Sequence, residues 1–185
     1  MDAEMGEQNT VVAVYTDGSS KPLINKKETR AGAGIYFEHG HHLNRSIELT
    51  DKCAGYAEYY AMKKALELIE NSEYKDYNIN VYTDRADLLR RLDPAIKSRK
   101  FKKGSNMASV YQALQEVLHR FKKGQVKFHK VTAHSGNHGN DMADQLAGYS
   151  SGKYETIPLG LLHFRNLVHD GFNNDNNNNN DKLDD

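Results

Sequence analysis

The chain has 185 residues, enough for one domain with a substantial core. Its 25 Lys and Arg match its 25 Asp and Glu, which argues against a polycation, and its single cysteine excludes an internal disulfide framework and suits a reducing compartment. The leading MDAEMGEQNT has no apolar core of the secretory kind, and no apolar run is long enough to span a bilayer, so a cytoplasmic or nuclear protein with no membrane partner is expected.

Residues 1–9 read as a disordered lead, and residues 10–150 as one α/β domain. In VVAVYTDGSS, residues 11–20, a β-favouring run meets Asp17 and is broken by Gly-Ser-Ser, which predicts a strand ending on Asp17. That places a carboxylate at the carboxyl end of a strand, where α/β sheets build sites. Residues 21–30 read as a polar loop. A second strand is expected over 31–38, with Gly32 and Gly34 marking close backbone approach or a bulge, and a third over 41–49, giving an antiparallel meander. Strand alternation would send His41 and His42 to opposite faces, which favours exposed hairpin residues over a metal site.

Helical spacing of Met62, Ala65, Leu66 and Ile69 predicts a helix over 58–70. Glu58 falls on that apolar stripe, in what reads as the first turn, where a partner for the helix dipole is the plain alternative to a functional role. INVYTD, residues 79–84, repeats the strand-end carboxylate with Asp84. A short helix over 86–92 is closed by Pro94, and a basic run with one aromatic, KSRKFKK, occupies 97–103. A helix over 107–121, a strand over 125–131, and a glycine-rich loop with His134 and His138 follow, and the loop leads into a helix from about residue 140. Residues 151–171 form a less patterned extension in which GLLHFRNLV has room for one short helix, and the Asn/Asp tract of 172–185 has almost nothing to bury and reads as disordered. If the strands ending in Asp17 and Asp84 are neighbours, two carboxylates converge, which is costly unless a cation sits between them. Glu58 is then a candidate third ligand.

In order and spacing, YTDGSS, AEYYAMKKALELI, VYTD and TAHSGNHGNDMADQLA resemble type 1 ribonuclease H over residues 11–150. The resemblance implies a mixed five-stranded sheet, its first three strands antiparallel, with helices on both faces. It implies that Asp17, Glu58, Asp84 and Asp144 are the catalytic, metal-binding carboxylates, that His134 is the catalytic loop histidine, and that Gly18, Ser19 and Asn140 meet the substrate. Lys100, Lys102 and Lys103 of the basic run resemble a substrate-handling protrusion in position and charge. The implied cofactor is a pair of Mg²⁺ ions, with Mn²⁺ able to substitute. The implied reaction is hydrolysis of the RNA strand of an RNA/DNA hybrid to 5′-phosphate and 3′-hydroxyl ends by a monomer. The chemistry is coherent by itself: two hard, oxygen-seeking ions about 4 Å apart activate water and neutralise charge on the phosphate, and carboxylates from four elements can hold them.

Two departures bear on selectivity. Family members carry an amide side chain shortly before the helical Glu, where this chain has Ala54, and polar residues after the second Asp, where it has Arg85 and Ala86. Both touch recognition of the RNA 2′-hydroxyl, not metal binding. Three readings stay open: an endonuclease that cuts the RNA strand of RNA/DNA hybrids, a retroelement- or virus-derived domain of the same family with relaxed selectivity that extends to RNA duplex, and a hybrid- or duplex-binding module without cleavage. Loss of one of the four acids would favour the last, and none is lost. Asp87 and Asp141 read as surface helix charges.

Overall fold

The computed structural model describes residues 10–23, 29–133 and 135–163. The described residues form five strands and four helices, in chain order β1 (Val11–Pro22), β2 (Thr29–Tyr36), β3 (Arg45–Thr50), α1 (Ala54–Glu70), β4 (Asn78–Thr83), α2 (Ala86–Leu92), α3 (Asn106–Leu118), β5 (Val126–Lys130) and α4 (His138–Ser150). The sheet order is β3-β2-β1-β4-β5. β1, β2 and β3 pair antiparallel, while β4 and β5 run parallel to β1. The architecture is therefore the mixed sheet that the sequence motifs imply.

Each face of the sheet has its own core. α1 buries Tyr59, Met62, Leu66 and Ile69 against Val12 and Val14 of β1, Ile79 and Val81 of β4, and Val110 and Leu114 of α3. Full burial of each large apolar side chain is worth about 1.5–3 kcal/mol, so this face holds most of the fold together. α4 covers the other face, with Ala143 and Leu146 beside Tyr36, Leu161 and Leu162. Its approach depends on two glycines of β2. A Cβ on Gly34 would overlap the Ala143 carbonyl, and one on Gly32 the Ala147 carbonyl. Gly32 and Gly34 thus mark close backbone approach and not a bulge.

Several boundaries differ from the sequence reading. β1 does not stop at Asp17. It continues to Pro22, because β2 pairs with it as far as Pro22↔Thr29. β3 begins at Arg45, not residue 41, because Asn44 closes the preceding turn, donating to the Glu38 carbonyl at 2.7 Å and accepting from the Phe37 amide at 2.8 Å. In that turn His41 and His42 stack at 4.7 Å and do not face opposite ways. α1 starts four residues early, capped by Cys53, whose Sγ accepts from the Tyr56 amide. α3 ends at Leu118. α4 starts at His138 under an Asn137 cap. After α4, residues 151–163 contain turns and no helix or strand, and the rest of GLLHFRNLV lies outside the described residues, as do the lead and the Asn/Asp tract. No helix of the described residues is long and apolar enough to cross a membrane.

Candidate active site

The site forms where β1 and β4 part. Their parallel pairing ends at Tyr15↔Tyr82, while β1 continues alongside β2. Asp17 lies just beyond that last pair, and Asp84 follows the end of β4. Glu58 reaches the same place from the second turn of α1, so it is too far along to serve as an N-terminal dipole partner. Gly18 brings strand and helix together. A Cβ there would overlap the Glu58 amide nitrogen and come within 2.8 Å of the Ala54 carbonyl oxygen, so only glycine lets α1 settle onto β1 at this point.

Carboxylate oxygens of Asp17, Glu58 and Asp84 all lie within 4.8 Å of one another. Asp17 is 7% exposed and Glu58 5%. The Gly18 amide donates to Asp17 Oδ1 at 2.8 Å, but Glu58 Oε2 is buried with no hydrogen-bond partner among the described residues. Burial first, and then the Asp84 charge, push the Asp17 carboxyl up to about 7. Burial and then Asp17 push Glu58 well above the usual carboxylate range, with Arg85 a weaker counterweight. An oxygen-only donor set, an orphaned buried oxygen and crowded like charges fit a divalent cation.

The surrounding cleft has a volume of about 330 Å³ and is lined by Gly18, Ser19, Ser20 and Ala54 beside the three acids, with Asn140, Asp144 and Lys153 on the α4 side. Asn140 is 2% exposed, its Oδ1 has no partner among the described residues, and its backbone amide donates to the Asn137 cap. It sits within the first turn of α4, not at the helix start. Asp144 comes from the second turn of α4, and both of its oxygens are engaged: Oδ2 accepts from the Tyr154 hydroxyl at 2.8 Å, and Oδ1 lies 3.6 Å from Lys153 Nζ.

Seven of the sequence-predicted site residues, Asp17, Gly18, Ser19, Glu58, Asp84, Asn140 and Asp144, therefore line one cleft. Gly18 and Ser19 do so as strand residues of β1, not as a turn. Lys100, Lys102 and Lys103 do not line it. They are exposed on the 93–105 connection, anchored where Phe101 packs edge-on against Tyr59 with centroids 5.8 Å apart and lies 3.9 Å beneath the Arg91 guanidinium carbon. His134 lies outside the described residues. Asp87 pairs with Arg85, consistent with a surface charge. Sequence reasoning missed Lys153 and Tyr154. The available signal was Gly152 just past an amphipathic helix, which predicts a reversal that returns the next residues to the helix.

This fold and this carboxylate cluster are of the ribonuclease H type. The RNase H family model matches residues 9–151, and the chain belongs to that family. Human Ribonuclease H1 is 32% identical over 145 residues, covering 74% of this chain and 48% of that protein, so the match spans about half of the human enzyme. Ribonuclease H of Ruthia magnifica is 31% identical over 155 residues, covering 78% of this chain and 98% of that one. Among solved structures, LC11-RNase H1 in complex with RNA/DNA hybrid superposes with a TM-score of 0.57 at 19% identity, over 78% of this chain and 99% of that one, which supports the fold.

Proposed function

We propose that this protein hydrolyses the RNA strand of RNA/DNA hybrids, leaving 5′-phosphate and 3′-hydroxyl ends. The observation that carries the reading is the convergence of Asp17, Glu58 and Asp84, with an unpartnered buried Glu58 oxygen, in a cleft shared with Asp144 and Asn140. Asp17, Glu58, Asp84 and Asp144 would hold two divalent ions, with Mg²⁺ the expected species and Mn²⁺ a substitute. When bound, such ions supply an activated water and neutralise charge developing on the phosphate. Gly18, Ser19 and Asn140 would position the strand to be cut, and the crystallised complex of LC11-RNase H1 with RNA/DNA hybrid supports a hybrid as the ligand. His134 is assigned proton transfer at the leaving group, within the usual range of general acid–base catalysis. Lys100, Lys102 and Lys103 would hold phosphates of the duplex away from the cut. A monomer acting in the cytoplasm or nucleus completes the proposal.

A second substrate, RNA duplex, is favoured by one observation: Ala54 lines the cleft where family members present an amide, and a methyl group offers nothing to a 2′-hydroxyl. The test is incubation of labelled hybrid, DNA duplex and RNA duplex with Mg²⁺, Mn²⁺ or EDTA, followed by sizing of the products. Hybrid cleavage abolished by EDTA is expected. Intact hybrid under every metal condition would overturn the proposal in favour of a binding module.

A further inference from the structure

We propose that Lys153 is a built-in counter-ion for Asp144 that a second divalent ion must displace, and that Tyr154 is a fixed positioning residue that keeps Asp144 aimed into the cleft. The inference rests on the two-ion reading of the site.

The geometry begins with the end of α4. Past Ser150 the chain reverses through Gly152 at φ +74°. The Gly152 amide donates to the Tyr149 carbonyl at 3.0 Å and the Lys153 amide to the Gly148 carbonyl at 2.8 Å. This paired arrangement is a Schellman termination, in which glycine takes the left-handed position. The Gly152 carbonyl in turn accepts from Lys21 Nζ at 2.9 Å, tying the turn to the end of β1. The reversal sends residues 153 and 154 back along the helix toward Asp144.

Tyr154 is held there by shape. A Cβ on Gly148, one helical turn beyond Asp144, would overlap the Tyr154 ring, so the missing side chain leaves a seat for it. From that seat the hydroxyl donates to Asp144 Oδ2 at 2.8 Å. Lys153 is held only at its tip. Its ammonium is 3.6 Å from Asp144 Oδ1, and its side chain is 45% exposed while that of Asp144 is 15% exposed. The carboxylate is sheltered and the ammonium can swing into water.

Among the described residues, Asp144 is the one member of the four carboxylates with a cation within ion-pair distance. It also stands outside the set of three whose oxygens cluster within 4.8 Å, although it lines the same cleft. The two halves of the site therefore differ. Asp17, Glu58 and Asp84 are crowded acids with no cation at ion-pair distance and Arg85 as a weak counterweight farther off, and Asp144 already has a partner. An ion bound by the crowded acids relieves repulsion, whereas an ion at Asp144 must first remove Lys153. Two ions should bind with unequal affinity, the weaker one set by these two residues.

Calorimetric titration of the full chain with Mn²⁺, beside steady-state cleavage of hybrid, tests this. Wild type should bind two ions of unequal affinity. Lys153→Met should tighten the weaker site about two- to fivefold, the scale of an exposed ion pair, and Lys153→Arg should leave it as in wild type. Tyr154→Phe keeps the seated ring and loses the donor. It should weaken the same site by about tenfold or more, as loss of an outer partner of a metal ligand does, and lower kcat with KM for hybrid unchanged. Opposite signs for the two substitutions support the inference. An unchanged or weakened second site in Lys153→Met, or an unchanged one in Tyr154→Phe, would overturn it while leaving the two-ion reading intact. A wild type that binds a single ion would overturn both.

Discussion

The acidic cleft and the basic 93–105 connection are built in opposite ways. In the cleft, Asp17 and Glu58 are buried, strand register fixes Asp17 relative to Asp84, and Gly18 sets the distance from strand to helix. In the connection, Lys100, Lys102 and Lys103 are exposed, and Phe101 supplies the anchor between Arg91 and Tyr59. Chemistry that needs atoms placed within a fraction of an ångström suits the buried, register-fixed cleft. Attraction for a charged backbone tolerates side chains in motion, which suits the exposed connection. Substitutions in the two regions should therefore fail differently, the first in rate and the second in salt-dependent affinity.

The largest effect is expected from Asp17→Asn. If Asp17 holds an ion as proposed, removing its charge should forfeit several kcal/mol of stabilisation for the charge developing on the phosphate, a loss of at least about a thousandfold in kcat on hybrid, read by single-turnover cleavage. Gly18→Ala comes next. The new methyl must push α1 away from β1, which should destabilise the fold by about 1–3 kcal/mol and slow cleavage by about a hundredfold through displacement of Glu58. Chemical unfolding and kinetics should move together for this variant, whereas an unaltered rate would mean that the Asp17–Glu58 spacing does not matter.

A milder effect is expected when Lys100 and Lys102 are changed together to Gln. kcat at saturating hybrid should hold, and the slope of log affinity against log salt should shrink by about one unit for each phosphate that is no longer neutralised. An unchanged slope would reduce the connection to a solvated surface and remove half of the comparison. The smallest effect is a gain of selectivity. Ala54→Asn returns one hydrogen-bonding side chain to the cleft, and a neutral hydrogen bond of about 0.5–1.5 kcal/mol should raise the ratio of hybrid to RNA-duplex cleavage by about two- to tenfold. A wild-type ratio already at the variant's level would assign the reading to other residues.

The two regions also differ in how far the sequence discloses them. Asp17 and Asp84 are visible because β-favouring runs lead into them and periodicity is a short-range signal. Their meeting depends on β1 lying beside β4, a pairing between segments more than sixty residues apart that the motif order implies through family resemblance. The start of α1 is hidden because Cys53 is a weak capping residue, so Glu58 reads as a first-turn acid although it stands in the second turn. The continuation of β1 past Asp17 is hidden for a related reason. Gly-Ser-Ser has little strand preference of its own, and pairing with β2 overrides it. The partners of Asp144 escape sequence reading altogether, since they are set by where a helix ends and which way the chain then turns.

Linkage between metal, pH and stability gives the most direct test of the central claim, that buried carboxylate repulsion is held for a cation. The Asp17 carboxyl is raised to about 7, so the folded state binds protons more tightly than the unfolded chain. In the metal-free protein this group's contribution to stability should therefore be fully present below the ordinary carboxylate range, and up to about 4 kcal/mol of it should be lost as pH climbs through 7. Thermal unfolding of wild type and Asp17→Asn at neutral pH, with EDTA and with saturating Mg²⁺, reads this directly. The account predicts a crossing: in EDTA the variant melts above wild type because the buried charge and its repulsion are gone, and in Mg²⁺ wild type gains far more than the variant. A variant that melts below wild type in EDTA, or a wild type that Mg²⁺ does not stabilise, would contradict it.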